Sequence, residues 1–393
     1  MAPFPHNHGH GGLALFTAGF RPFFLAAALW AALAMPLWLT AYGMGLVLPS
    51  GLPPLVWHAH EMVFGYGLAA LAGVLLLSLQ GRPLVALVSL WLIGRIAILF
   101  SAQIGAALAA AVDISFPAIL LAAVSADLVA GRNWQNLPIL AALLSLLIGD
   151  LLVHLGALGI ADTAELGNRV GTATLLFLIA LVGGRIVPSF TRSWLAKNRP
   201  KITPPAPADR LDVVALAITG SGLAAWAFAP DAEIARWAEL AAGAAVAWRL
   251  SRWRGARTLR EPLVLILHAG YAWLAIGLVL LGVNGFYAVL PPTTALHALT
   301  VGAIGTMTLA VMTRGSLDHT GRPLTAGPGT KAIYLLVTLA ALLRLLAPLA
   351  GSEILPILWL AGTAWCTTFI LFAILYGGAL TRPRTVHSTA RPT

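Results

Sequence analysis

The chain has almost no cysteine and very little charge. Cys366 is its one cysteine and lies in the last apolar run, which excludes intrachain disulfides, Cys-ligated zinc and iron–sulfur clusters. Charged residues make up 10% of the 393, against about 25% in an ordinary soluble domain. There is no phosphate-binding Walker loop after a strand, no G-x-S-x-G elbow, and no basic surface interleaved with aromatics. P-loop chemistry, serine hydrolysis and nucleic-acid binding are therefore not expected. Metal chemistry, if present, must rest on histidine, methionine and carboxylates.

What the chain has in quantity is apolar sequence, 59% of all residues. This predicts an all-α polytopic membrane protein with about twelve transmembrane helices of roughly 20 residues each. The spans read as Phe23–Met44, Trp57–Gln80, Leu84–Phe100, Ile104–Ala130, Leu137–Leu158, Val170–Val187, Leu211–Phe228, Ile234–Leu250, Leu263–Val283, Thr294–Met312, Lys331–Leu349 and Leu355–Tyr376. The first run is long enough to span rather than be cleaved as a secretory signal. The formal net charge of +10 is concentrated in short loops. Basic residues at Arg21, Arg82, Arg132, 185–210, 249–260 and 314–331 alternate with opposite loops carrying only Arg169 and Arg236 alongside five acids. By the positive-inside rule both termini are expected to be cytoplasmic. The Pro- and Lys/Arg-rich stretch 191–210 reads as a cytoplasmic linker between six-helix halves, 1–190 and 211–393. The basic run Trp248–Arg260 fits an inward-facing loop, with anionic headgroup binding as the alternative.

One stretch organises the rest. Pro53 to Gly67 reads P-P-L-V-W-H-A-H-E-M-V-F-G-Y-G, and Pro291 to Gly305 echoes it as P-P-T-T-A-L-H-A-L-T-V-G-A-I-G. Both have a Pro-Pro turn, a histidine, and glycine five residues after that histidine. Polar side chains where a membrane helix leaves the water are expensive and mark function. His60 and His297, at similar depth on two helices, are the candidate axial pair of a haem, which takes imidazole from two sides. Gly65, Gly67, Gly302 and Gly305 would admit a flat macrocycle or another backbone. The plain alternative is that the histidines are interfacial and the glycines are packing contacts. His58 lies about 200° around the helix from His60 and shares a face with Glu61, so that pair is a candidate for a second metal or for orienting a ligand imidazole. A helix-start hydrogen bond is the alternative.

His154, four residues after Asp150 on the fifth span, is the best further ligand for copper, which favours imidazole; a satisfied core histidine is the alternative. Arg95, Asp113, Asp150 and Arg344 lie roughly 11–13 Å below the outer surface at 1.5 Å per residue. Charges at one depth should pair, and Arg95–Asp113 is expected to be one such pair. His268, with Arg314 and His319, is a candidate inner site, and a structural histidine is the alternative. His6, His8 and His10 form a possible copper-binding tract, or a start with no role.

Taken together, F-R-P-F-F (Phe20–Phe24), W-H-A-H-E-M (Trp57–Met62), R-N-W-Q-N-L-P (Arg132–Pro138), G-G-R-I-V-P-S-F (Gly183–Phe190), L-H-A-L-T-V-G-A-I-G-T-M (Leu296–Met307) and H-T-G-R-P-L (His319–Leu324) resemble the NnrS family of bacterial membrane proteins. The resemblance implies a multi-pass inner-membrane protein that carries haem b and copper and is linked to denitrification and nitric oxide stress. It is also similar, more loosely, to the core subunit of haem-copper oxidases and nitric oxide reductases, in which helices two and ten supply the axial pair; carried over, that pair is His60 (or His58) with His297. The sixth and seventh spans hold no histidine, so the usual copper and catalytic haem site has no counterpart there.

The expected function is tolerance, binding or turnover of nitric oxide, with a small-molecule ligand, a possible redox partner, the lipid bilayer and no nucleic acid as partners. A transporter of a metal, haem or small anion is the alternative, and a structural membrane subunit a third. The echo of the second span in the tenth fits repeated four-helix units better than two six-helix halves.

Overall fold

The computed structural model describes residues 13–287 and 291–385; His6, His8 and His10 lie outside them. Among the described residues every regular element is helical. We number the twelve long helices α1 Phe20–Met44, α2 54–75, α3 Gly81–Leu99, α4 Ala106–Ala130, α5 Leu137–Ala157, α6 Ala164–Asn198, α7 Arg210–Phe228, α8 Glu233–Ser251, α9 Pro262–Tyr287, α10 292–319, α11 Pro328–Leu346 and α12 Ile354–Thr381. Ten of these are long and apolar enough to cross a membrane. The other two, α2 and α8, carry the polar H-A-H-E turn and Glu233, Arg236, Glu239 and Arg249 respectively. The expectation of twelve spans is therefore met for ten.

Several boundaries differ from the sequence reading: α6 begins at Ala164 rather than Val170, α10 ends at His319 rather than Met312, and α12 ends at Thr381 rather than Tyr376. α2 ends at Leu75 rather than Gln80, and α6 runs to Asn198, eight residues into the stretch read as a linker. Thr191 and Leu195 are fully buried, so packing holds that last turn of α6 in spite of its polar surroundings.

Short loops make chain neighbours pack side by side. From α3 onward each helix packs on the next, and α12 closes the ring against α1. Trp365 Nε1 donates to the carbonyl of Ala31 at that seam (3.0 Å), and Arg21 donates to the carbonyls of Ala379, Leu380 and Arg382 at the end of α12. Those carbonyls have no partner inside their own helix, so the guanidinium does the work of a cap.

Three helices in this arrangement widen into π-helical turns: α2 at Glu61–Gly67, α6 at Ile179–Gly183 and α10 at Ala298–Gly305. They are four helices apart along the chain, and α6 packs against both α2 and α10. The echo seen in sequence is thus also an echo in backbone form: the regular helix gives way directly after His60 and again directly after His297. Tyr66 and Thr308 are hydrogen-bonded through their hydroxyls and tie α2 to α10.

Candidate metal centre

Six ionisable side chains from α2, α3, α4 and α5 meet inside the first half of the chain. His60, Glu61, Arg95, Asp113, Asp150 and His154 are each at most 2% exposed. Burying a charge requires a paired and hydrogen-bonded partner, and these groups supply one another. Arg95 Nη1 donates to both oxygens of Glu61 at 2.9 Å, and Arg95 Nη2 pairs with Asp113. The expected Arg95–Asp113 pair is present, with Glu61 as an additional partner. Trp30 Nε1 from α1 donates to Glu61 Oε2 at 2.7 Å. Gly65 makes room for that contact, because a Cβ there would lie 2.7 Å from Trp30 Nε1 and 2.8 Å from Glu61 Oε2.

At the centre are two imidazoles and two carboxylates. His60 Nε2 lies 2.9 Å from Asp150 Oδ1 and 3.1 Å from Asp113 Oδ2. His154 Nε2 lies 3.1 Å from the same Asp113 oxygen and 3.6 Å from Asp150 Oδ1. The ligand atoms of His60, Asp113, Asp150 and His154 all fall within 4.8 Å of one another. Atoms held about 2.0–2.2 Å from one ion stand about 2.9–3.6 Å apart along the edges of a square or tetrahedron. On its other side His60 Nδ1 meets Glu61 Oε1 at 3.1 Å, the carboxylate contact that orients most ligating histidines.

Charge points the same way. Three carboxylates against one guanidinium leave two negative charges when both imidazoles are neutral. In the tautomer with its proton on Nδ1 toward Glu61, the Nε2 lone pair of His60 would face two carboxylate oxygens, a contact that a proton or a metal ion relieves. Asp150 Oδ2 is buried without a hydrogen-bond partner. The donor set is imidazole and carboxylate, which suits copper(II), zinc or iron.

The other half of the histidine turn looks elsewhere. His58 is stacked on Trp38 of α1 with ring centroids 4.2 Å apart. It lies within electrostatic reach of His297 on α10 and of Arg344 on α11. His297 Nδ1 meets the Thr293 carbonyl at 2.5 Å. Several sequence expectations change here. His60, placed opposite His297 in the sequence reading, instead has carboxylates on both ring nitrogens, and His58 is the residue in reach of His297. Glu61 bonds Trp30, Arg95 and His60 rather than His58. Arg344 makes no ion pair with an acid among the described residues, since α11 packs against α10 and α12 and not against α3–α5.

The glycines expected to admit a macrocycle are filled by neighbouring side chains. A Cβ at Gly67 would meet Leu175, at Gly302 Trp273, and at Gly305 Trp365. The inner candidates stay apart: His268 Nε2 meets Thr191 Oγ1 at 2.9 Å, His319 packs on Phe20, and Arg314 lies 3.9 Å over the Phe190 ring. A buried pair that sequence reasoning missed links α7 to α8, where Arg249 Nε donates to Asp212 at 3.2 Å and Arg249 Nη1 to Tyr271 at 2.8 Å. An acid at the third residue of one helix and a base near the end of the next was the available signal. Beside it, in the loop before α7, the hydrogen bond from Arg252 holds the Asp209 carboxyl down at about 2.

Fold and site define a polytopic helical membrane protein with a fully buried polar centre. Residues 14–384 match the NnrS protein family, and the chain belongs to it. Membership makes it a multi-pass membrane protein related to nitric oxide in the general sense. No curated protein matches the chain.

Proposed function

We propose that this chain is a metalloprotein of the bacterial cytoplasmic membrane that serves tolerance or metabolism of nitric oxide in denitrification, with both termini inside. Copper is the metal assigned to His60, His154, Asp113 and Asp150. The observation that carries the reading is the four ligand atoms within 4.8 Å, buried and surplus in negative charge. Glu61 orients His60, Arg95 fixes Glu61 and Asp113, and Trp30 and Gly65 hold Glu61 in place.

Haem b belongs to the same proposal. His60 does not fit it, since both its ring nitrogens are engaged, but His58 and His297 do. His58 Nδ1 is buried without a partner, and the Thr293 carbonyl engages Nδ1 of His297 and leaves Nε2 for iron. Bound there, the group supplies an iron that takes up nitric oxide or passes one electron. The chain's own part is to hold two imidazoles at the outer helix mouths and to keep a buried, negatively charged centre one helix turn away.

The second reading is a transporter of a metal, haem or small anion, although the interrupted helices α2, α6 and α10 recur every four helices rather than in two matching halves. Purified wild-type protein and the D113N/D150N variant decide between them. About one copper per chain by mass spectrometry, retained through dialysis and lost in the variant, upholds the resident centre. Copper that leaves on dialysis and crosses proteoliposomes upholds transport, and full occupancy in the variant sinks the ligand assignment.

A further inference from the structure

The outer mouth formed by α1, α2, α10 and α11 is rich in donors and poor in acceptors. Arg344, in the last turn of α11, lies within electrostatic reach of His58 and His297 and has Tyr42 of α1 as a neighbour, and no acid among the described residues forms an ion pair with it. Trp38 Nε1 is buried without a hydrogen-bond partner although the same indole stacks on His58. Thr294 Oγ1, three residues before His297 and so on its face of the helix, is 1% exposed and also unpartnered. His58 Nδ1 is the third such atom at this mouth. Buried polar atoms are almost always satisfied, and a cluster of exceptions calls for a missing partner. A guanidinium placed in a membrane helix without an acid is costly for the same reason. One acceptor that carries negative charge would give Arg344, Trp38 Nε1 and Thr294 Oγ1 a partner.

We infer that this mouth is an anion site in which Arg344, Trp38 and Thr294 bind a carboxylate or a small oxyanion. Guanidinium suits both through its forked N–H groups. The anion has two possible sources: a propionate of a haem held by His58 and His297, or a free oxyanion entering from the outer side. The inference stands on the mouth's own geometry and holds whether or not a metal occupies the His60 cluster. Only its propionate source rests on the haem reading above.

The test uses the full chain in lipid nanodiscs, with sodium nitrite and sodium acetate as probes in calorimetric titration. Haem-free wild type is expected to bind a probe, R344Q at least about tenfold more weakly, and R344K within a few-fold. W38F keeps the stacked ring but lacks the N–H, and is expected to bind a few-fold more weakly. Haem-loaded protein that refuses nitrite, together with faster haem loss from R344Q to apomyoglobin, assigns the site to the propionate. Haem-loaded protein that binds nitrite as before, with unchanged haem loss, assigns it to the free oxyanion. Metal content at the His60 cluster serves as the folding control; if R344Q loses it, W38F decides, and wild-type binding by W38F overturns the inference. Equal binding by wild type and a folded R344Q overturns it too, as does the absence of heat from either probe when R344Q retains haem like wild type.

Discussion

His58 and His60 are two residues apart and serve opposite electrostatic regions. The pocket that receives His60 holds three carboxylates and one arginine, all buried and nearly all hydrogen-bonded. The mouth that receives His58 holds one arginine, no paired acid among the described residues, and three buried polar atoms without partners. In a low-dielectric setting the sign of the surplus charge decides which ligand lowers the energy. On the assignments proposed above, the first region takes a cation and the second an anion. One turn of helix therefore sorts two chemistries, because a step of two residues rotates a side chain by about 200°.

The contrast breaks most severely if Arg95 is removed. R95M leaves three buried carboxylates without a counter-charge, and loss of one partner of a buried pair costs about 3–5 kcal/mol. A large drop in thermal midpoint and in folded yield by size-exclusion chromatography is expected; an unchanged melt would mean the acids are already neutral.

The two histidines give the sharpest comparison. H60A is expected to lower copper occupancy about 10–100-fold while the haem absorption stays, and H58A to do the reverse. Identical losses in both variants would show that the regions are not separate.

G65A drives a methyl group between Trp30 and Glu61. Displacing that hydrogen bond from a buried carboxylate is expected to cost about 1–3 kcal/mol, read as a lower melting temperature, with the melt of G378A in α12, where a Cβ meets nothing within 4 Å, as comparison.

The smallest effect lies outside the membrane. Asp209 has its folded pKa depressed to about 2 by Arg252, so its contribution is complete above the unfolded value of about 3.9 and disappears as pH falls toward 2. D209N is expected to melt slightly below wild type at pH 6, with the gap narrowing at pH 3. A gap that widened on acidification would reverse the sign.

Sequence reading reached the elements more surely than the site. Helix positions followed from apolar length, and Arg95–Asp113 was foreseen because both lie at one depth. Spacing marks His154 as a ligand but not its partners: it makes Asp113 and Asp150 ion-pair members only, and sets His60 against His297. The missing signal was present as four ionisable residues at similar depth on α2, α4 and α5. Depth alone did not say that those helices surround one point. Spacing pairs Glu61 with His58, whereas Glu61 bonds Trp30, Arg95 and His60; the alternative of His58 opposite His297 stands.

By itself the sequence determined that the chain is helical, belongs in a bilayer, and carries its costly polar groups at a few fixed depths. Those properties follow from composition and from the 1.5 Å rise of a helix, both of them local. Tertiary structure alone decided which histidine meets which charge. That choice depends on which helix faces are in contact and on where α2 and α10 widen, and burial energy is settled only once every helix has found its neighbours.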